Sequence, residues 1–98
     1  MDSKRFYAIA KRVSEHTAVD EDDIFSPSRM QPISDAKHLL FYIASREGFT
    51  NGYIQRFTTL RGLDIHHSSI KHGIDKVDRM IKSDNIWKEM TTSLLCGA

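Results

Sequence analysis

The stretch LDIHHSSIKHGIDKV, residues 63–77, gathers three histidines and two serines within seven positions. Side chains of these types ligate metals, pair as nucleophile and base, or read another molecule through hydrogen bonds. Spacing decides among the three roles. A helix turns about 100° per residue, so His67 and His72 stand about 140° apart around the axis and His66 and His72 about 120° apart. Two histidines on one helix converge on a metal when they are three or four residues apart, and these pairs are not. No cysteine or carboxylate set nearby completes four ligands, so no metal is expected.

Nucleophilic catalysis fails on similar grounds. A reactive serine needs a base within hydrogen-bond reach and a third group to orient that base. Adjacent residues such as His67 and Ser68 point in different directions on a helix. No Gly-x-Ser-x-Gly turn surrounds either serine, and no Gly-x-x-x-x-Gly-Lys-Ser/Thr run for nucleotide phosphates occurs in the chain. The expectation is a non-enzymatic protein without a cofactor.

The elements that must position this cluster read as helices. Two prolines and five glycines in 98 residues, with little strict alternation, predict an all-α domain of about six helices. Phe6, Ile9, Ala10 and Val13 recur at helical spacing, giving a first amphipathic helix over 4–17. Asp20 is placed to cap a short second helix whose first turn holds Glu21, Asp22 and Asp23. The segment 26–34 contains both prolines and reads as a loop, and a third helix then starts at Ser34 or Asp35. Leu39, Leu40, Phe41, Ile43 and Ala44 make this the central buried helix, which Gly48 ends in a left-handed conformation. Thr50 or Asn51 caps a fourth helix with Ile54, Phe57 and Leu60 facing inward. After the break TLRGLDI, the stripe Ile70, Ile74, Val77 and Ile81 predicts a long fifth helix from His66, with Gly73 letting another helix approach closely. A last helix near 85–95 offers Trp87, Met90 and Leu94.

The whole chain suits one domain spanning 1–98, with its core in 4–82. Its single cysteine, Cys96, fits a reducing compartment. MDSKRFYAIAKRV mixes charge with apolar residues from the start, unlike a secretory signal, and the longest apolar run, LLFYIA, is far short of a membrane span. A cytoplasmic protein without a membrane partner is expected. The net charge of +1 conceals segregation: residues 1–14 carry +3, 15–23 carry −5, 24–82 carry +4 and the remainder −1. The basic excess falls on the region that holds the histidine cluster, a modest electrostatic footprint for a polyanion.

A short helix, a break and a longer helix opening on small polar groups form a helix-turn-helix candidate, in which the first turn of the second helix faces base edges. An ordinary surface helix with solvated histidines fits the same local pattern. In the first case Ser68, Ser69, His66, His67 and His72 offer donors and acceptors to bases or phosphates.

The run RGLDIHHSSIKHGIDKV resembles the C-terminal DNA-binding domain of the bacterial replication initiator DnaA. That family carries Gly-Arg-Asp-His-Ser/Thr-Ser/Thr-Val at the start of its recognition helix, and His67, Ser68, Ser69, Ile70 and His72 fall on matching positions. EDDIFSPSRMQPISDAKHLLFYIASRE is similar to the family's acidic pair, apolar pair, serine, basic loop and buried helix. Together the two matches cover residues 6 to about 82. The resemblance implies a Trp-repressor-like helical fold that binds duplex DNA as a monomer, with the recognition helix in the major groove and the basic loop near the minor groove. His67, Ser68 and Ser69 then become base or phosphate contacts, and Arg29, Gln31 and Lys37 belong to the loop and the helix after it.

Three departures stand out. Gln31 and Asp35 occupy positions where the family has arginine, His66 stands where it has aspartate unless Asp64 takes that role across an insertion, and the turn TTLRGLDI is several residues longer. A target other than the family's standard DNA box is therefore expected. The family's ATPase domain is absent and the chain starts at Met1, so a stand-alone protein is expected, DNA-bound in the nucleoid. Arg29, Lys37, Arg56, Arg61 and Lys71 would hold phosphates, while His66 to Ser69 and His72 would read bases. The alternative from another class is a protein-interaction module on the same fold, with a partner in replication or transcription, favoured by the thinned basic loop and the acids at 20–23.

Overall fold

Helical periodicity and end signals account for most of the architecture. The computed structural model describes residues 3–96, the Cys96 side chain excepted, so the reading of that cysteine lies outside the described residues. Six helices follow in order: α1 (Ser3–Thr17), α2 (Glu21–Ile24), α3 (Gln31–Arg46), α4 (Asn51–Leu60), α5 (His67–Ser83) and α6 (Asn85–Cys96). Among the described residues there is no strand. None of these helices is long and apolar enough to cross a membrane.

The core is one contiguous cluster. The α1 stripe Phe6, Ile9, Ala10 and Val13 is buried as its spacing predicts. Helix α3 buries residues around most of its circumference, Ala36, Leu39, Leu40, Phe41, Ile43 and Ala44 among them, and runs through the middle of the bundle. Phe6 centres an aromatic group, its ring centroid 5.2 Å from Phe57 and 5.8 Å from Phe49. Each such large apolar side chain contributes roughly 1.5–3 kcal/mol on burial. Tyr7 joins the group through its ring and donates its hydroxyl to the Phe57 carbonyl at 3.1 Å.

Two glycines end helices by the same device. Gly48 has φ +101° and Gly62 has φ +92°, a region that L side chains rarely adopt. After α3, the amides of Gly48 and Phe49 bond the carbonyls of Ser45 and Ala44, and after α4 those of Gly62 and Leu63 bond the carbonyls of Thr59 and Thr58. This is the double bond pattern of a Schellman ending, and the following residue, Phe49 or Leu63, is buried in each case. Thr50 caps α4, its hydroxyl accepting from the Tyr53 amide at 3.2 Å.

Three expectations need correction. Helix α3 begins at Gln31, not at Ser34 or Asp35, because Pro32 sits in its first turn, where a missing N–H costs nothing and a fixed φ helps. The loop is shortened to 25–30. Leu60, read as inward, is 67% exposed on the last turn of α4. Asp20 begins α2 with its backbone carbonyl, which accepts from Asp23 and Ile24, and its side chain makes no cap bond.

Candidate nucleic-acid interface

The histidine–serine cluster occupies the amino-terminal end of α5. His66 is the N-cap residue, in an extended conformation and without a side-chain cap bond, so the helix proper starts at His67. His66, His67, Ser68 and Ser69 are all exposed, followed by exposed Lys71 and His72. Ile70, Gly73 and Val77 turn the opposite side of the helix into the core. The inward stripe thus fixes which side chains of α5 face outward.

Gly73 sets how closely α5 meets α3. A Cβ at Gly73 would lie 2.6 Å from Cδ2 of His38 and 3.2 Å from the Phe41 ring. The close approach inferred from sequence is therefore present, and it brings α5 against the His38 imidazole. That ring stands edge-on to His72, centroids 6.3 Å apart with the planes at 82°.

Between the 25–30 loop, α3, the α4–α5 connection and α5 lies a groove of about 630 Å³. Its walls bring together five of the residues singled out in the sequence: Arg29, Lys37, Ser68, Ser69 and His72. Ser28, Ser34, His38, Asp64 and Lys76 complete its polar lining, over Phe41, Leu63 and Ile65. The loop is braced from within. Lys37 donates its Nζ to the Ser28 carbonyl, Met30 donates its amide to the Ser28 hydroxyl at 3.2 Å, and Ser26 donates its hydroxyl to the Asp23 carbonyl at 2.6 Å. Such bracing presents Arg29 on a fixed backbone.

The remaining candidates stand elsewhere. Gln31 is on the first turn of α3, where its side-chain amide donates to both carboxylate oxygens of Asp35 at 3.1 Å. Arg56 is exposed on α4, and Lys71 pairs with Asp75 at 3.1 Å along α5. Arg61 is committed to the fold. Its guanidinium lies 4.5 Å from the Phe25 ring centroid and 5.7 Å from that of Tyr7, and it pairs with Asp22 at 3.3 Å and Glu21 at 4.0 Å. The acids at 21–22 thus have a structural partner in Arg61.

Electrostatics in the groove are those of crowded cations. Burial lowers the Lys37 pKa from its ordinary value, and Arg29 adds to the effect. Burial also lowers His38, followed by repulsion from Lys76 and His72, with Lys37 adding to it and Asp35 opposing. Nδ1 of His38 is buried without a hydrogen-bond partner. Sequence reasoning missed His38 because it adjoins the apolar run 39–41, where a polar residue reads as the edge of a buried face. The available signal was Gly73, since a glycine kept for close approach requires a bulky neighbour opposite. Among the described residues, no group of three or more histidine, cysteine, aspartate or glutamate side chains is placed to hold a metal ion. Cations, hydroxyls and imidazoles stand around an apolar floor, a set of groups whose chemistry suits an anion. No protein-family model, curated protein or solved structure matches the chain.

Proposed function

We propose that this chain is a non-enzymatic, sequence-preferring duplex-DNA-binding module of the DnaA C-terminal, helix-turn-helix type. Helix α5 enters the major groove from His66 onward, and the segment 26–37 reaches the neighbouring minor groove. One observation supports this reading above the others. Arg29 and Lys37, 30 or more residues away in sequence, share a groove with Ser68, Ser69 and His72. Phosphate-holding and base-reading side chains are thereby combined on one surface.

The bonding of the charged residues sharpens the expected behaviour. Arg61 is occupied by Phe25 and the α2 acids, so the available phosphate contacts are Arg29, Lys37, Lys76, Arg56 and, from its exposed pair, Lys71. About four simultaneous contacts give a slope of log K against log salt near −3 to −4. Fluorescence anisotropy on a duplex selected from a random library measures this, and a slope near zero removes the proposal.

A second reading, a protein-interaction module for the replication or transcription machinery, draws on one observation. Leu60 is 67% exposed and Tyr53 38%, both on α4. Absence of duplex binding at low salt would favour it.

A further inference from the structure

The groove has an internal asymmetry that DNA binding in general does not require. Three cationic side chains, Arg29, Lys37 and Lys76, meet one carboxylate, Asp64, across its walls. Among the ion pairs of the described residues, none involves Arg29, Lys37 or Lys76. Against them leans an imidazole, His38, with a buried ring nitrogen that has no partner. Unpaired buried polar atoms carry a cost and mark sites whose hydrogen bonding is incomplete in the free protein.

We infer that this groove is a phosphate-binding site in which Arg29, Lys37 and Lys76 supply charge, Ser68 and Ser69 supply hydroxyl donors, and His38 gains a proton from solvent as the anion arrives. The inference deepens the DNA reading, and its duplex arm rests on that reading. Its ligand chemistry, a phosphate group, is common to the DNA backbone and to free phosphate.

The groups around His38 set the direction of the effect. From α3 it faces Asp35 and Lys37, and from α5 His72 and Lys76, while the loop and the α4–α5 connection bring Arg29 and Asp64 to the same groove. In the empty groove, burial and then Lys76, His72 and Lys37 shift the ring toward its neutral form, with Asp35 opposing. An anion among those cations cancels their repulsion and adds attraction, so protonation becomes favourable. Binding and proton uptake are then linked, and each strengthens the other. A volume of about 630 Å³ lies within the range of ordinary ligand sites.

The experiment follows the His38 imidazole by NMR as pH is varied. Three samples of the intact wild-type protein are compared at equal ionic strength: in chloride, with inorganic phosphate, and with a short mixed-sequence duplex. The expected result is a His38 titration midpoint that moves upward with both phosphate sources, accompanied by shifts of the Ser68 and Ser69 amides. Lys76→Gln, a half-buried surface change, should weaken binding of either probe about 3- to 10-fold while leaving the spectrum folded. Response to inorganic phosphate without duplex binding supports the groove, identifies a free phosphate as its ligand and removes the DNA reading. Duplex binding that leaves His38, Ser68 and Ser69 unmoved overturns this inference and leaves the DNA reading standing. No response to either probe overturns it outright.

Discussion

Gly73 touches His38 so closely that a single methyl group on the glycine would stand 2.6 Å from the ring carbon Cδ2. The same methyl would meet the Phe41 ring at 3.2 Å, so neither neighbour leaves room. Overpacking of this kind costs about 1–3 kcal/mol, against about 1 kcal/mol gained from alanine's better helix propensity. Gly73→Ala should therefore lose up to about 2 kcal/mol in urea unfolding. Gly52→Ala, whose new methyl meets nothing nearer than Thr50 Oγ1 at 3.8 Å, should be neutral or mildly stabilising. Equal stability of both variants would mean that α3 and α5 are free to separate.

His38 also makes stability depend on pH. Its folded pKa lies below the ordinary histidine value, so below about pH 6.5 the unfolded chain binds a proton that the folded chain resists. Stability from this group is complete above the unfolded pKa and falls as pH drops toward the folded one. Thermal unfolding in phosphate-free buffer should show a lower midpoint at pH 5 than at pH 7.5. In His38→Gln that difference should shrink, and a difference of unchanged size would exclude His38 as its source.

Arg61 separates a structural cation from a DNA-binding one. Its stacking on Phe25 and its pair with Asp22 predict that Arg61→Ala costs about 1 kcal/mol or slightly more, since the side chain is 31% exposed and the pair is screened. The salt slope of duplex binding should stay unchanged. A slope smaller in magnitude by about 1 would instead put Arg61 on a phosphate.

Ser68 and His67 lie on the first turn of α5 with exposed side chains, away from the core stripe. The double change Ser68→Ala with His67→Ala should abolish a gel shift on a selected duplex, while unfolding free energy stays within about 0.5 kcal/mol of wild type. A shift that survives the change removes the recognition-helix assignment.

Much of the fold was legible from periodicity. Phe6, Ile9, Ala10 and Val13, and Ile70 and Val77, are buried on the faces their spacing names, with Ile74 and Ile81 half-buried beside them, because a two-sided helix must put its stripe inward. Gly48 ends α3 as expected, since a positive φ selects glycine. The start of α3 was not legible: a proline inside the first turn and a proline in a loop look alike in one dimension. Leu60 was misassigned because an apolar residue one turn from Phe57 fits the stripe until the helix ends. For the site, the outward face of α5 followed from its inward one. The partnership of Arg61 with Phe25, and of His38 with Gly73, spans more than 30 residues each, and no local pattern encodes such pairings.

The connection between α4 and α5 spans residues 61–66 and is pinned at both ends. Leu63 is buried and its amide bonds the Thr58 carbonyl, and Gln55 donates its side-chain amide to the Ile65 carbonyl at 2.6 Å. Leu63, Asp64 and Ile65 then form one side of the groove. These residues therefore act as masonry: they wall off one corner of the groove. The connection thus shapes the groove, and the span between the two helices is a determinant of what that surface can hold.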